Sequence, residues 1–435
     1  MAHIARIVVV GGGWSGSAAA LAARKAGTEV TLLERTDMLL GTGLVGGIMR
    51  NNGRYTAAEE MMAMGAGELF EATDRLALHR NITFPHHHHA SLYDVTKIEP
   101  EVRHILTEAG VDVHLGVRVT GVRMEGRRLR AVAGYGGDTF EGDAFVDTTG
   151  SAGPPGNCER YGLGCMMCVL RCHTFGGRVG VAVLCGVDEL QVTNASGKVG
   201  SYSGSCELVK ESLDPALIAQ LEKTGVLVVP LPEAMKDTNK LTLKACQQYA
   251  EQEFGENLVI LDTGHPKLMM PYLKLETLRE VPGFESARFI DPLSGGIANS
   301  VRFLGIAPRD DTLKVSNMDN LFCGGEKAGP FVGHTEAITT GTLAGHNAAR
   351  RALGLDPITI PSSLAVGDAV AWMTERLAQP NGLGQKVTFS GSVYFLRMVE
   401  RGLYTIDHDA IRQRVAAAGM VGYFAEPLEA SRYAV

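Results

Sequence analysis

The sequence lacks the features that would place it among membrane-spanning or nucleic-acid-coating proteins. No uninterrupted apolar run approaches the ~18 residues that indicate a membrane-spanning helix. Basic residues are outnumbered, because 41 Lys and Arg stand against 48 Asp and Glu, and the net charge of −7 excludes a broadly basic surface. A hydrophobic content of 45% excludes a disordered chain. We therefore predict a globular protein that needs neither a membrane nor a nucleic acid as its partner.

The chain also lacks the cysteine density of a disulfide scaffold, since it has only 8 cysteines in 435 residues. Half of them fall close together, at Cys158, Cys165, Cys168 and Cys172. Such a cluster, in a chain without the pattern of an export signal, is typical of metal binding or redox chemistry in a reducing compartment. We therefore expect a cytoplasmic protein.

The N-terminal segment has the pattern of a nucleotide-binding β-α-β unit. A β-branched strand over residues 6–10 leads into G-x-G-x-x-G at Gly11, Gly13 and Gly16. A small-residue helix and a second strand follow, and the strand ends at Glu34. The three glycines permit a tight turn, close approach of a pyrophosphate, and close helix–strand packing. The helix N-terminus offers N–H groups to phosphates, and Glu34 can accept from ribose hydroxyls, so we predict a dinucleotide site.

Two later segments indicate which dinucleotide binds. Residues 144–150 form an apolar stretch that ends in a small-residue turn. Residues 320–326 run as a second apolar stretch into Gly-Gly-Glu, and a helix-like pattern covers residues 335–353. With this arrangement the sequence resembles, over residues 5–150 and 312–352, the two-dinucleotide-binding-motif flavoproteins of the glutathione-reductase type. The resemblance implies FAD as the cofactor.

The same resemblance implies positions around the FAD molecule. Glu326 takes the place of the acidic residue that holds the flavin ribitol, where the family usually has Asp. The segment from Gly333 to Ala337 would lie near the pyrimidine side of the flavin, where a helix N-terminus stabilises negative charge on the reduced ring. The glycine-rich residues 41–53 would wrap the cofactor, with a plain surface loop as the alternative. The predicted cofactor-binding residues are Gly11, Gly13, Gly16, Glu34, Arg35, Gly43, Gly47, Gly150, Glu326, Gly333 and Thr335.

Residues 329–350 carry a narrower resemblance. They are similar to the FAD-dependent tRNA-modifying flavoproteins, including the folate-dependent uracil methyltransferase family. They are also similar to the broader FAD-dependent oxidoreductase family that contains heterodisulfide-reductase flavin subunits. The middle of the chain shows no comparable similarity to the tRNA enzymes, so the resemblance implies the cofactor and not the substrate. A second G-x-G-x-x-G after a strand is missing, which argues against a separate NAD(P)H domain.

Together the motifs predict an α/β protein with a Rossmann-like FAD-binding domain of the glutathione-reductase type, an inserted mixed β substrate domain and a C-terminal helical extension. The expected boundaries are 1–150 for the first part of the FAD-binding domain, 151–310 for the inserted domain with the cysteine cluster, 311–352 for the second part of the FAD-binding domain and 353–435 for the extension. Local patterns also predict a helix over residues 57–78, a strand over residues 178–184, and a helix over residues 369–377 with Asp368 as its N-cap.

The cysteine cluster has the spacing Cys158-x6-Cys165-x2-Cys168-x3-Cys172. Thiolates at x2 and x3 spacing can converge on one [4Fe–4S] cluster, although the first gap is longer than in bacterial ferredoxins. A structural zinc site, a redox dithiol and buried free thiols are the alternatives. An iron–sulfur cluster directly after the Gly150 turn would lie on an electron path between the flavin and the outside.

Candidate acid–base groups are His334, in the segment expected beside the flavin, and His88, in a run of four histidines at residues 86–89. Histidine titrates near neutral pH, which suits a proton relay or substrate binding. An exposed loop without chemistry and a metal site are the other interpretations of the run.

The leading functional hypothesis is an FAD-dependent oxidoreductase that transfers hydride between a small organic substrate and the flavin, with single electrons passing through the cluster. A flavin-dependent tRNA methyltransferase, an electron-relay subunit of a larger complex and a thiol–disulfide flavoenzyme using Cys165 and Cys168 are the alternatives. The expected partners are the small-molecule substrate and an electron-transfer protein, and a homo-oligomer is compatible with the sequence.

Overall fold

The computed structural model describes residues 4–150, 172–193, 201–202, 206–239, 241, 247–269, 273–290, 301–379, 382–384 and 386–428. The strands of these stretches are β1 (Arg6–Val10), β2 (Glu29–Leu33), β3 (Ile48–Arg50), β4 (Ala77–Phe84), β5 (His87–Tyr93), β6 (Asp112–His114), β7 (Val119–Glu125), β8 (Arg128–Gly134), β9 (Thr139–Glu141), β10 (Ala144–Asp147), β11 (Leu190–Gln191), β12 (Ser201–Tyr202), β13 (Cys206–Glu207), β14 (Val226–Pro230), β15 (Asn257–Asp262), β16 (Pro266–Leu268), β17 (Val301–Arg302), β18 (Gly305–Ile306) and β19 (Leu321–Cys323). The α-helices are α1 (Trp14–Lys25), α2 (Gly53–Ala63), α3 (Glu68–Arg75), α4 (Ile98–Glu108), α5 (Cys172–Phe175), α6 (Val181–Leu184), α7 (Pro215–Thr224), α8 (Glu253–Glu256), α9 (Leu275–Leu278), α10 (His334–Ala352), α11 (Ala365–Leu377), α12 (Ser392–Glu400) and α13 (His408–Ala417).

A five-stranded parallel sheet in the order β19-β10-β1-β2-β6 organises the FAD-binding part. Residues 7–10 of its central strand β1 are all β-branched and buried, as residues of a parallel strand covered on both faces usually are. In register, Val10 lies opposite Leu33 of β2 and opposite Asp147 of β10. The carboxyl ends of these strands therefore coincide, which places the glycine loop, Glu34 and the turn after β10 at one edge, where open α/β sheets bind ligands.

Helices α1 and α10 pack with their backbones in close contact. A Cβ atom on Gly341 would lie 2.1 Å from the Ser15 carbonyl oxygen, and one on Gly345 would lie 2.0 Å from the Ala19 carbonyl oxygen. Because these pairs advance together along both helices, the helices are parallel. α10 has seven residues before Gly341 whereas α1 has one before Ser15, so α10 extends about 9 Å beyond the start of α1. This extension carries His334 past the glycine loop.

Antiparallel sheets surround the parallel one. They have the orders β3-β5-β4, β7-β8-β9 and β13-β16-β15-β14, with short pairs β11-β18 and β12-β17. The four-stranded sheet covers a hydrophobic core of its own, which includes Leu208, Ile260 and Phe284. A further apolar cluster joins this sheet to β5 through Leu92 and Leu261. The expected fold class, an α/β FAD-binding fold with added mixed β structure and C-terminal helices, agrees with this architecture, and the domain boundaries stay predictions.

The single helix expected over residues 57–78 is wrong. α2 ends at Ala63, α3 covers Glu68–Arg75, and β4 begins at Ala77. Gly65 has φ +84°, and the Ala66 N–H returns to the Met61 carbonyl, which closes α2 by a glycine C-cap. Met61 and Met64 before the break and Leu69 and Phe70 after it are all buried, so the pattern alone could not show the break.

The strand expected over residues 178–184 is also wrong, because residues 181–184 form the one-turn helix α6. The Ala182 N–H at its start donates to the Asp147 carboxylate at 3.1 Å, so an acidic side chain from the end of β10 holds the first turn. Asp147 in turn accepts from the Thr149 hydroxyl at 2.7 Å. A short apolar run of this kind fits a strand or a buried helical turn equally well.

Asp368 is not an N-cap, since α11 begins three residues earlier, at Ala365. The Glu60 carboxylate of α2 accepts from the N–H groups of Ala365 and Val366, at 3.0 Å each. No helix in the described stretches is long and apolar enough to cross a bilayer.

Candidate functional site

The glycine loop after β1 has the geometry of a phosphate-binding turn. Gly11 has φ +104°, and a Cβ atom there would lie 2.5 Å from the Thr148 carbonyl oxygen. A Cβ atom on Gly16 would lie 1.7 Å from the Gly11 carbonyl oxygen, so both positions admit only glycine. A Cβ atom on Gly13 meets no described atom within 4 Å. Open space therefore lies beside the N-terminus of α1, where the loop can receive a pyrophosphate.

Glu34 stands at the end of β2, beside this loop. Its Oε2 atom accepts from the Gly12 N–H at 2.8 Å, and its Oε1 atom accepts from the Thr36 N–H at 2.8 Å. The side chain is buried and held in one place, as a group that receives ribose hydroxyls should be. The neighbouring Arg35 donates to the Gly176 carbonyl at 2.8 Å, and its contact with the cofactor stays a prediction.

The glycine-rich stretch after β2 lies against the same loop. The Leu40 N–H donates to the Gly12 carbonyl at 2.8 Å, and a 3-10 turn follows over Gly41–Val45. A Cβ atom on Gly43 would lie 2.5 Å from the Trp14 Nε1 atom, and one on Gly47 would lie 2.2 Å from the Thr263 side chain. Gly43 thus allows close packing beside the dinucleotide loop, and Gly47 allows close packing against Thr263. Contact of either glycine with the cofactor stays a prediction.

Three aromatic side chains, Trp14, Tyr93 and His334, form what we term the aromatic cluster. The Trp14 ring lies 5.8 Å from the Tyr93 ring and 6.1 Å from the His334 ring, measured between centroids. The Tyr93 hydroxyl donates to the Gly43 carbonyl at 2.7 Å and lies 3.1 Å from His334 Nδ1. Trp14 follows the dinucleotide loop and His334 begins α10, so the cluster connects the two motifs that the sequence places more than 300 residues apart.

The first turn of α10 carries a buried ion pair that the sequence did not suggest. Arg54 Nε lies 3.1 Å from both oxygens of Glu336, and both side chains are inaccessible to solvent. Glu336 also accepts from the Thr388 hydroxyl and the Phe389 N–H, at 2.8 Å each. Arg54 offsets the Glu336 charge, which leaves the helix N-terminus able to stabilise a negative charge on a bound ring.

The predicted residues Gly333 and Thr335 lie in this turn. Gly333 has φ +152°, and a Cβ atom there would collide with the side chains of Arg54 and Glu336. The Thr335 hydroxyl donates to the Met49 carbonyl at 2.7 Å, so it anchors β3 to α10. Their direct contact with a cofactor stays a prediction.

A second pair of oppositely charged residues adjoins the 3-10 turn Gly41–Val45. Glu207 of β13 lies opposite Lys267 of β16, and Lys267 Nζ donates to the Val45 carbonyl. Burial raises the pKa of the Glu207 carboxyl, and its Oε1 atom has no hydrogen-bond partner among the described residues. No local sequence motif marks either residue, because strands far apart in the chain bring them together.

The histidine run divides between core and solvent. His87 is buried, accepts at Nδ1 from the Asn51 amide at 2.8 Å, and donates from Nε2 to the Gln248 carbonyl at 2.9 Å. His88, the residue predicted to take part in catalysis, is exposed. It lies about 16 Å along β5 from Tyr93, so the structure does not bring it together with His334.

The remaining predicted residues lie at the edges of the site. Glu326 is half-buried in the 3-10 turn Gly325–Lys327, directly after β19, and Gly150 has φ +73° after β10. Cys158, Cys165 and Cys168 lie outside the described residues, as does the side chain of Cys172 at the start of α5. Within the described stretches, no group of three or more His, Cys, Asp or Glu side chains is arranged to hold a metal ion.

Comparison with known proteins agrees with this site. Residues 6–153 match the family described as FAD dependent oxidoreductase. The resemblance to FAD-dependent oxidoreductases is confirmed. Residues 256–356 match the family described as glucose inhibited division protein A. Together with the open phosphate position at Gly13, these matches assign FAD as the cofactor of this fold.

Two curated relatives are tRNA-modifying enzymes of Thermus thermophilus. The chain is 36% identical to a methylenetetrahydrofolate–tRNA-(uracil-5-)-methyltransferase, TrmFO, over 180 residues, which cover 40% of this chain and 37% of that protein. It is 26% identical to the tRNA uridine 5-carboxymethylaminomethyl modification enzyme MnmG over 412 residues, which cover 82% of this chain and 66% of that protein. The chain thus matches less than two thirds of the length of either relative. The resemblance to the FAD-dependent tRNA-modifying flavoproteins is confirmed as well.

Among solved structures, GidA of Aquifex aeolicus superposes with a TM-score of 0.66 at 18% identity, over 97% of this chain and 74% of that chain. At this identity the match shows the fold. The chain therefore has the FAD-binding α/β fold of GidA.

Proposed function

We propose that this chain is an FAD-dependent oxidoreductase that acts on a small organic substrate. The observation that carries the proposal is the open space at Gly13, between strand β1 and the N-terminus of α1, in a loop where Gly11 and Gly16 are sterically obligatory. When bound there, FAD supplies hydride acceptance and donation at its isoalloxazine ring.

In this proposal the chain's own residues bind and orient. The N–H groups at the start of α1 receive the pyrophosphate, Glu34 receives ribose hydroxyls, and Glu326 receives the ribitol. The extension of α10 beyond α1 brings its N-terminus, with His334, to the far side of the loop. His334 there holds or moves a proton, while Trp14 and Tyr93 exclude water from its ring.

The test compares two glycines of the loop. Gly13→Ala adds a methyl group that meets no described protein atom, so we expect the protein to fold normally. The methyl group would fill the space proposed for the pyrophosphate, so we expect FAD to bind at least about ten-fold more weakly. Gly16→Ala forces the new methyl group into the Gly11 carbonyl, so we expect loss of folding instead. FAD content, from the absorbance of flavin released by denaturation, and thermal unfolding of the cofactor-free protein separate the two effects.

Gly384→Ala is the matched control, because a Cβ atom there also meets no described atom within 4 Å and the residue lies in a 3-10 turn outside the dinucleotide loop. It should retain both FAD and stability. A Gly13→Ala protein that holds as much FAD as the wild type contradicts the proposed binding site.

The [4Fe–4S] cluster on Cys158, Cys165, Cys168 and Cys172 stays part of the proposal, supported by the cysteine spacing. Iron and sulfide analysis of anaerobically prepared protein tests it. Cys168→Ser should abolish a broad visible band while the flavin is retained. Iron-free protein with full activity eliminates the cluster and leaves the flavin chemistry in place.

A flavin-dependent tRNA modification is the second candidate, favoured by the TrmFO match over 180 residues. The net charge of −7 counts against it, because proteins that hold RNA usually present a basic surface. Incubation of the holoprotein, its flavin first reduced anaerobically with dithionite, with a tRNA transcript and labelled methylenetetrahydrofolate decides between the two, because conversion of the methylene carbon to a methyl group consumes two electrons. Methyl transfer to the transcript would favour this candidate over a small-molecule oxidoreductase.

A further inference from the structure

In the aromatic cluster, the Tyr93 hydroxyl contacts a ring nitrogen of His334. The Tyr93 hydroxyl lies between two partners, the Gly43 carbonyl oxygen at 2.7 Å and His334 Nδ1 at 3.1 Å. Tyr93 is fully buried, and burial raises the pKa of its phenol, so the hydroxyl keeps its proton in the folded protein. A phenol has one proton to donate and lone pairs with which to accept.

That single proton can point to only one of the two partners. If it pointed to His334, the oxygens of Tyr93 and Gly43 would face each other at 2.7 Å with no hydrogen between them, which is repulsive. If it points to Gly43, which as a carbonyl can only accept, both contacts are favourable. His334 Nδ1 must then carry a hydrogen and donate it to the Tyr93 oxygen.

We propose that Tyr93 is a positioning residue that keeps a hydrogen on His334 Nδ1 and so makes Nε2 the atom that takes up and returns a proton. The exchange of this proton with a substrate rests on the proposed function. The position of the hydrogen on Nδ1 follows from the contacts of Tyr93 alone. Gly46 confines the ring at the carbon between its two nitrogens. A Cβ atom on Gly46 would lie 1.5 Å from His334 Cε1, 2.4 Å from Nε2 and 2.7 Å from Nδ1, so the Cε1 side of the ring lies against bare backbone.

The ring is therefore held on three sides. Tyr93 contacts Nδ1, Gly46 lies against Cε1, and the Trp14 ring lies 6.1 Å away between centroids at an interplanar angle of 37°. A histidine whose second nitrogen is oriented in this way by a hydrogen-bond partner is the arrangement used when the other nitrogen exchanges protons.

The experiment uses the full chain with ¹⁵N-labelled histidine and long-range ¹⁵N–¹H correlation spectra above the titration range of imidazole. His334→Gln identifies the His334 resonances among the 13 histidines. We expect a pyrrole-like shift for Nδ1 and a pyridine-like shift for Nε2, both with and without FAD. The reverse pattern, with the hydrogen on Nε2, overturns the proposal.

Tyr93→Phe removes the hydroxyl and keeps the ring. We expect the single-tautomer pattern of His334 to be replaced by shifts averaged between the two forms, because Nδ1–H loses its acceptor. Tyr394→Phe is the matched control, since it removes an equally buried hydroxyl that donates to the Ala365 carbonyl at 2.7 Å. An unchanged His334 pattern in Tyr93→Phe contradicts the proposal, and the wild-type spectrum remains decisive if that variant does not fold.

The two proposals fail separately. A chain that binds no FAD but shows the hydrogen on Nδ1 disproves the proposed function and leaves the assignment of Tyr93 intact. A chain that binds FAD but shows the hydrogen on Nε2 leaves the flavin site in place and removes the positioning role.

Discussion

Gly46 decides where the His334 ring can stand. Its backbone is in the ordinary right-handed region, with φ −75° and ψ −73°, so no conformational demand requires glycine there. The requirement comes from His334, whose Cε1 atom occupies the space of a Cβ atom at 1.5 Å. Among the glycines of this stretch the sequence indicated Gly43 and Gly47 and passed over Gly46, because the crowding arises from a helix nearly 290 residues away.

We expect Gly46→Ala to displace the His334 ring and to break its contact with Tyr93. Overpacking of this kind lowers the free energy of unfolding by about 1–3 kcal/mol. Urea unfolding measures the loss, and the ¹⁵N pattern of His334 reports the displacement. Gly384→Ala should change the stability by no more than about 0.5 kcal/mol, because its Cβ atom meets open space. Equal stabilities for the two variants would show that the ring is not confined by Gly46.

At the scale of elements, α11 shows how tertiary contacts replace local signals. Asp368 has the residue type of an N-cap, yet the helix begins at Ala365 and a carboxylate from α2, Glu60, caps it. Asp368 instead lies inside the helix, where its buried carboxylate accepts from Arg397 at 2.8 Å and from Arg401 at 2.5 Å. The side chain therefore joins α11 to α12 and does not end a helix.

We expect Asp368→Asn to destabilise the protein by about 1.5 kcal/mol, because it weakens the charge-assisted hydrogen bonds from Arg397 and Arg401, whose side chains are partly exposed to solvent. Chemical denaturation measures the loss. Asp409→Asn, at an exposed position in the first turn of α13, should cost less than about 1 kcal/mol. An N-cap role for Asp368 would make the two losses similar, and that result would refute the bridging role.

At the scale of the whole molecule, the C-terminal segment returns to the FAD-binding part and packs on α10. His346 of α10 lies 5.4 Å from the Tyr423 ring and 5.1 Å from the Phe424 ring, between centroids. Neither ring nitrogen reaches a hydrogen-bond partner in the part of the chain that the structure describes. Burial, helped by the charge of Arg350, lowers the pKa of His346 to about 3.

This pKa gives the stability a defined dependence on pH. Below pH 6.5 the unfolded chain binds a proton at this histidine that the folded chain refuses, so the folded state loses stability as the pH falls from 6.5 towards 3. The loss is about 1.4 kcal/mol for each pH unit in that window. His346→Leu removes the titrating group and two unsatisfied nitrogens, so we expect it to raise the free energy of unfolding by about 1 kcal/mol at neutral pH.

Unfolding of wild type and His346→Leu at pH 7.5 and pH 5.5 tests this expectation. The difference in free energy of unfolding between the variant and the wild type should be larger at the lower pH. There the unfolded wild type gains a proton on His346 that the folded wild type does not bind, and the variant has no such group. Parallel losses in both proteins would show that His346 is protonated in the folded state.

The sequence by itself determined the dinucleotide-binding unit and the cofactor. The β1–loop–α1 pattern, Glu34 and the late Gly-Gly-Glu segment are each read from a short stretch of chain, and the steric demand at Gly16 comes from the Gly11 carbonyl in the same loop. Tertiary structure alone decided the aromatic cluster, the Arg54–Glu336 pair and the Glu60 cap. Each of them joins residues more than 200 positions apart in the chain. Which side chains meet across such a separation depends on how the helices and sheets pack, and the local periodicity of the sequence does not contain that information.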